Sequence, residues 1–269
     1  MGIRKVRLTG GEPLVRKNST ELVSMISKIS AIEELTMTTN ATLLETHATE
    51  LKAAGLKRIN ISLDTIDKER YKKITGGGDF DEVVRGIKAA LDAGLTPVRV
   101  NTVILKGIND DQLPEIVDFA NELGLTLRFI ECMPMRDDLD WKAHYLSIED
   151  VLKKPGMSER VDLSAVPRKG KAAAFFLPLK SGKGEVGFIS PMSDRFCESC
   201  NRLRLTADGK IRSCLPTDLD VDIKDALKLG ADDKRIEELI REAVLLKPEL
   251  GEYNFGERER KRSMSEIGG

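Results

Sequence analysis

The chain has 269 residues, 41% of them hydrophobic and 32% charged, with a formal net charge of −1. That size and balance describe a globular chain able to bury one or two cores, and the near-zero charge supplies no global field for nucleic acid or an anionic membrane. Aromatics at 4% are too sparse for a base-stacking surface, no apolar run is long enough to span a bilayer, and MGIRKVRLTGGEP lacks a signal-peptide apolar region. Val6 stands where a myristoylation signal needs Ser or Thr. A cytoplasmic protein without a nucleic-acid or membrane partner is expected.

The first half repeats a short apolar strand, a polar turn and an amphipathic helix. Strands are predicted at Val6–Thr9, Leu35–Thr38, Ile59–Leu63, Val98–Val103 and Leu127–Glu131. Helices are predicted at Thr20–Ile29, Thr46–Ala54, Asp81–Ala93 and Asp111–Leu123. Ser19 or Thr20 can cap the first helix, with Leu22, Met25, Ile26 and Ile29 on its inner face. Gly55, Gly94 and Gly124 follow helices, where a left-handed stop is expected. Strands alternating with helices imply parallel βα units. In a β/α barrel the carboxyl ends of the strands form the catalytic face. Thr9-Gly10-Gly11-Glu12-Pro13, Thr38-Thr39-Asn40, Ser62-Leu63-Asp64, Asn101 and Glu131 would place polar groups there.

After Pro134 the pattern changes. Residues 136–170 are charged and irregular around Trp141. Short strands follow at Phe175–Leu179, Glu185–Ile189, Leu203–Thr206 and Lys210–Arg212, with a hairpin signal at Ala207-Asp208-Gly209-Lys210. A last helical region runs from about Asp232 to Leu245. The predicted fold is therefore an incomplete, partial TIM-type β/α barrel over residues 1–135. A smaller α+β domain follows over 136–269.

Three of the four cysteines, Cys197, Cys200 and Cys214, fall in FCESCNRLRLTADGKIRSCL, spaced C-x2-C-x13-C. Clustered cysteines in a chain this poor in them point to a metal and not to a disulfide framework. Three thiolates are one short of a closed structural zinc set, which leaves a coordination position open. Soft thiolates suit zinc or an iron–sulfur cluster, and spacing alone does not choose. Arg202 and Arg204, two apart on a predicted strand, face one way, as do Lys5 and Arg7. Guanidinium pairs suit phosphate. In the Gly10-Gly11-Glu12-Pro13 turn, two glycines admit a close ligand and Glu12 offers a carboxylate to an amine or ribose.

The turn, TTN, SLD, KGIND at Lys106–Asp110, the cysteine segment and the terminal Gly268-Gly269 together resemble the GTP 3′,8-cyclases. These are radical S-adenosylmethionine enzymes of molybdenum cofactor biosynthesis, also called the molybdenum cofactor biosynthesis protein A family. The resemblance implies a [4Fe–4S] cluster on Cys197, Cys200 and Cys214, with one iron free for the guanine end of GTP. It implies GTP binding by Lys5, Arg7, Arg128, Arg202 and Arg204. For S-adenosylmethionine it points to Gly11, Thr38, Ser62, Arg99 and Met133, Arg99 standing where the family usually has Lys. Gly268 and Gly269 would assist the chemistry. Family members also carry an N-terminal C-x3-C-x2-C that holds a second [4Fe–4S] cluster, whose 5′-deoxyadenosyl radical abstracts hydrogen from C3′ of GTP. This sequence has no such motif, its first cysteine being Cys132. It is therefore expected to be an N-terminally truncated member, inactive alone. The alternatives are an inactive fragment that binds GTP and one cluster, or a zinc-bearing structural domain. Implied partners are GTP, S-adenosylmethionine, a reductant, the downstream cyclic pyranopterin monophosphate synthase and a second copy of the chain. Cys132 reads as packing. His47 and His144 match no family motif.

Overall fold

The structure, a computed structural model, describes residues 1–135, 140–169 and 173–249. Five parallel strands alternate with helices in chain order. They are β1 (Lys5–Leu8), α1 (Ser19–Ser27), β2 (Glu34–Thr39), α2 (Leu44–Ala53), β3 (Arg58–Ser62), α3 (Lys68–Thr75), α4 (Phe80–Asp92), β4 (Arg99–Ile104), α5 (Leu113–Glu122) and β5 (Thr126–Glu131). Short helices α6 (Trp141–His144), α7 (Ile148–Leu152) and α8 (Met157–Arg160) follow, in a stretch that reads as irregular from sequence. Then come β6 (Arg168–Lys169), β7 (Ala174–Pro178), β8 (Glu185–Ile189), β9 (Arg204–Leu205), β10 (Lys210–Arg212), β11 (Asp220–Asp222), α9 (Lys224–Lys228) and α10 (Asp233–Leu245).

The main sheet runs β1-β2-β3-β4-β5-β8-β7-β6. It is parallel from β1 through β8, and β7 and β6 are antiparallel additions. Sequential parallel strands joined by helices on one side make a partial α/β barrel, as the alternation predicts. The strands near residues 175–179 and 185–189, expected with the smaller domain, instead extend this sheet. Val186 and Phe188 give β8 an apolar side that stacks beside Phe129 of β5, with Phe129 and Phe188 rings 6.1 Å apart. A separate three-stranded sheet, β11-β10-β9, carries its own small core of Ile211, Val221, Ile223, Leu239 and Ala243 under α10.

Strand alternation divides the main sheet into two unlike faces. Leu35, Met37, Ile59, Ile61, Val100, Ile104, Leu127 and Phe129 face the helices and are buried. Each such side chain contributes about 1.5–3 kcal/mol on burial. The opposite face carries rows of polar side chains from β1 to β5, followed toward the carboxyl ends by an apolar row of Val103, Ile130 and Ile189.

Local chemistry accounts for the boundaries. Asp67, Asp79 and Asp232 cap α3, α4 and α10 by accepting from Arg70, Asp81 and Arg235 N–H groups. For α1 the cap is Asn18, left-handed at φ 60 with no side-chain bond, in place of Ser19 or Thr20. The inner face of α1 is also shifted. Ser19 and Val23 are buried with Ile26 against the core, while Met25 and Ile29 are exposed. Gly86 of α4 lies against the turn after β2, where a Cβ would meet the Ala41 carbonyl oxygen at 2.2 Å.

Candidate functional site

The register aligns the polar face into rows. Arg7 of β1 lies beside Thr36 of β2, and Thr36 beside Arg58 of β3. The next row is Thr38, Asn60, Arg99 and Thr126; the one after is Ser62, Asn101, Arg128 and Gly187. Lys5 lies beside Glu34 on the same face. Lys5, Arg7, Thr38, Ser62, Arg99 and Arg128 are thus brought to one wall. Gly11 sits exposed in the loop after β1, and Met133 follows the end of β5. Gly268 and Gly269 lie outside the described residues.

The wall is crowded with guanidinium groups. Burial and the charges of Arg99, Arg7, Arg58 and Arg202 lower the pKa of Arg128 to about 9. Arg7 has an exposed surface yet is hemmed in by the concave wall. Its surroundings and Arg202, Arg58 and Arg99 lower its pKa to about 10. Arg99 is lowered by burial and by Arg58. Glu34 is the acid within this group. It accepts from Arg58 Nε at 2.8 Å and pairs with Lys5 Nζ at 3.1 Å.

Asn60, fully buried, takes Arg128 Nη2 at 3.1 Å and Arg58 Nη1 at 3.3 Å on one carbonyl oxygen. Gly187 clears the path of Arg128, since a Cβ there would lie 2.8 Å from Arg128 Cγ. Among the described residues, Arg99 Nε, Asn101 Oδ1 and Arg128 Nε are buried without a hydrogen-bond partner. Each such orphan costs about 1–3 kcal/mol. Arg58, Asn60 and Glu34 carry no sequence motif. They become visible only when cross-strand register is known.

Three residues expected near a ligand are committed elsewhere. Glu12 accepts from Leu14 N–H at 3.0 Å, Thr39 Oγ1 at 2.7 Å and Asn40 N–H at 2.7 Å, so its carboxylate braces the turn after β1 against the turn after β2. Thr39 therefore lies on the helix side. Glu131, fully buried, points away from the polar face and accepts from the Ile148, Met192 and Ser193 N–H groups, each at 3.0 Å. At the end of β3, Asp64 accepts from Val103 N–H at 2.8 Å, and burial raises its pKa to about 6.

The cysteine segment lies near enough to this wall for the charge of Arg202 to lower the pKa of Arg7 and Arg128. Cys197, Cys200 and Cys214 form no disulfide among the described residues and are partly exposed. Cys200 N–H donates to Cys197 O at 3.0 Å, closing the C-x2-C turn. The β9–β10 hairpin, turned at Gly209 with φ 84, returns the chain to Cys214. Burial raises the Cys214 pKa, and Cys197 and Cys200 raise it further, so the three sulfurs are electrostatic neighbours. Among the described residues no three His, Cys, Asp or Glu side chains converge as a site for a single metal ion. Arg204 is lowered by burial and by Arg202, and is drawn back by Cys200 and Cys214. Arg202 lies just before β9 and not within it. Its guanidinium lies over the Phe196 ring at 5.5 Å, and its charge lowers the pKa of Arg204, Arg7 and Arg128.

Cys132 is buried, its pKa raised to about 11 by burial and by Asp64. His47 and His144 are held by backbone carbonyls, Nδ1 lying 2.9 Å from Leu43 O and 2.8 Å from Lys106 O respectively. Among the described residues no helix is long and apolar enough to cross a membrane.

Comparison with known proteins gives a consistent result. The Radical SAM superfamily matches residues 1–120 and Molybdenum Cofactor Synthesis C matches residues 125–253. A GTP 3′,8-cyclase of Moorella thermoacetica is 47% identical over 100% of this chain and 82% of that relative. Those of Syntrophomonas wolfei and Pelotomaculum thermopropionicum are each 44% identical, over 100% of this chain and 83% and 82% of their own lengths. Among solved structures, Streptococcus suis SuiB bound to S-adenosylmethionine aligns with TM-score 0.40 and 27% identity, over 47% of this chain and 29% of that one. On the full-length similarity to these relatives, the chain belongs to the GTP 3′,8-cyclase family of the radical SAM superfamily.

Proposed function

We propose that the polar wall and the cysteine segment form one GTP site. The site would serve conversion of GTP to (8S)-3′,8-cyclo-7,8-dihydroguanosine 5′-triphosphate in molybdenum cofactor biosynthesis. The observation that carries this reading is the set of cations that the strand register brings to one wall, Arg7, Arg58, Arg99 and Arg128, with the charge of Arg202 from the three-cysteine loop added to theirs. A triphosphate is a compact polyanion, and like-charged guanidinium groups set close together are relieved by such a ligand. Lys5, Arg7, Arg128, Arg202 and Arg204 would hold the phosphates. Gly11, Thr38, Ser62, Arg99 and Met133 would line the S-adenosylmethionine side. Residues 1–135 would form the barrel unit and 136–269 the cluster-bearing unit, which lends β6, β7 and β8 to the sheet.

The donor set fits a [4Fe–4S] group. Three cysteines outside any disulfide among the described residues sit as electrostatic neighbours beside cations, and a cubane spreads its ligands over separate irons, so convergence on one point is not required. Cys197, Cys200 and Cys214 would hold it, and it would supply an open iron for the purine. Radical generation would need a second thiolate set. The four cysteines here include none beside the Gly10–Pro13 turn, so we propose that these 269 residues alone do not cleave S-adenosylmethionine. The reductant, a downstream synthase, a homodimer, a cytoplasmic location and a role for Gly268 and Gly269 complete the proposal.

Replacing both Arg202 and Arg204 with Ala tests it. GTP binding should weaken by roughly 1.5–3 kcal/mol for each charged hydrogen bond lost, with iron content unchanged. Equal affinity in the double variant refutes the site.

A further inference from the structure

Helix α10 is fixed by its N-cap Asp232 and by Leu239 and Ala243 packed on the small sheet. That packing aims its end at the cysteine loop. The helix stops at Leu246, and Pro248 cannot continue it. Between them, Lys247 turns back. Its Nζ donates to Cys200 O at 2.6 Å, to Arg202 O at 3.1 Å and to Cys200 Sγ at 3.3 Å. An ammonium has three N–H donors and no acceptor. All three are directed to one short segment, an arrangement unlike that of a solvated surface lysine. Two carbonyls anchor the group, and the third acceptor is the sulfur of a proposed cluster ligand.

We infer that Lys247 is a positioning residue for the group held by the three cysteines. It ties the C-x2-C turn to the end of α10 and sets a positive hydrogen-bond donor against Cys200 Sγ. This rests on the cluster reading above. A donor at a ligand sulfur and a fixed positive charge both favour the more negatively charged, reduced state, so Lys247 raises the reduction potential of the group. Nothing in the motif spacing marks this residue, because it lies 47 positions from Cys200 and meets it only through the packing of α10.

The test compares the anaerobically reconstituted chain with Lys247→Met, which keeps the apolar stem, and Lys247→Arg, which keeps the charge. Iron and sulfide are assayed, and reduction potentials are read by EPR-monitored titration. Lys247→Met is expected to retain its iron and to show a more negative potential, while Lys247→Arg stays near wild type. An unchanged potential in iron-replete Lys247→Met overturns the inference and leaves the cluster reading intact. If Lys247→Met loses its iron, Lys247→Gln decides: a potential below wild type supports the inference and an equal one overturns it. A wild-type chain that takes up no iron overturns both.

Discussion

Arg128→Met should stabilise the ligand-free chain while weakening its hold on GTP. Arg128 is 9% exposed, and its neighbours Arg99, Arg7, Arg58 and Arg202 are all cations. Holding its pKa at about 9, well below the ordinary arginine value, corresponds to roughly 5 kcal/mol of opposition to the charged form. At neutral pH the group remains charged, so the folded chain carries that opposition in full. Loss of the Asn60 hydrogen bond subtracts about 1 kcal/mol, and Asn60 Oδ1 keeps Arg58 as a donor. Screening through the open wall removes a further part, and replacing buried charge by a well-packed apolar group typically gains 1–4 kcal/mol. The expected net gain is about 1–3 kcal/mol, or roughly 2–4 °C in Tm per kcal/mol for a chain near this size. GTP affinity should fall about 10- to 100-fold. Urea unfolding and calorimetric titration on the same preparations read both signs. A variant that is less stable than wild type makes Arg128 a structural residue. A stabilised variant with unchanged GTP affinity removes the anion site from this wall.

Gly187→Ala should displace Arg128, because its Cβ would stand 2.8 Å from Arg128 Cγ and 2.7 Å from Phe176 Cε1; weaker GTP binding with little change in iron content is expected, and unchanged binding argues against it. Gly86→Ala should destabilise by more than 1 kcal/mol without touching the site, since its Cβ would meet the Ala41 carbonyl; a neutral urea midpoint would contradict this. Asp64, with its folded pKa raised to about 6 from 3.8, binds more protons folded than unfolded between those values. The contribution of Asp64 to stability should therefore fall as pH rises from about 4 to about 6 and stay lower above it, so the gain of Asp64→Asn over wild type should grow across this range, and a difference that does not change with pH would contradict this.

The barrel strands were legible because alternation and the Gly stops are local signals. Lys5 and Arg7 fall two apart on β1 and do share the polar face, and the Gly209 hairpin forms where its dipeptide sits. Helix α3 was not predicted, since KERYKKIT buries only Tyr71 and leaves no apolar stripe. Arg58, Asn60 and Glu34 were missed because their importance lies in register. Arg58 meets Glu34 across neighbouring strands, and Asn60 on β3 meets Arg128 on β5 across the width of β4 and a sequence separation of 68. Glu12 misled in the opposite direction. A carboxylate beside two glycines suggests a ligand, but the hydroxyl and N–H groups that occupy it come from the turn after β2. The extension of the sheet by β8 and β7 also escaped the sequence reading, because strand length and composition there are compatible with either sheet.

The claim that the guanidinium wall and the cysteine loop are one site is tested most directly by EPR of the reconstituted, reduced chain with and without GTP. The account predicts about four irons and four sulfides per chain and a spectrum that changes when GTP binds, with the change lost in the Arg202→Ala, Arg204→Ala variant. GTP that binds and leaves the spectrum unaltered, or stoichiometric zinc in place of iron, would contradict it.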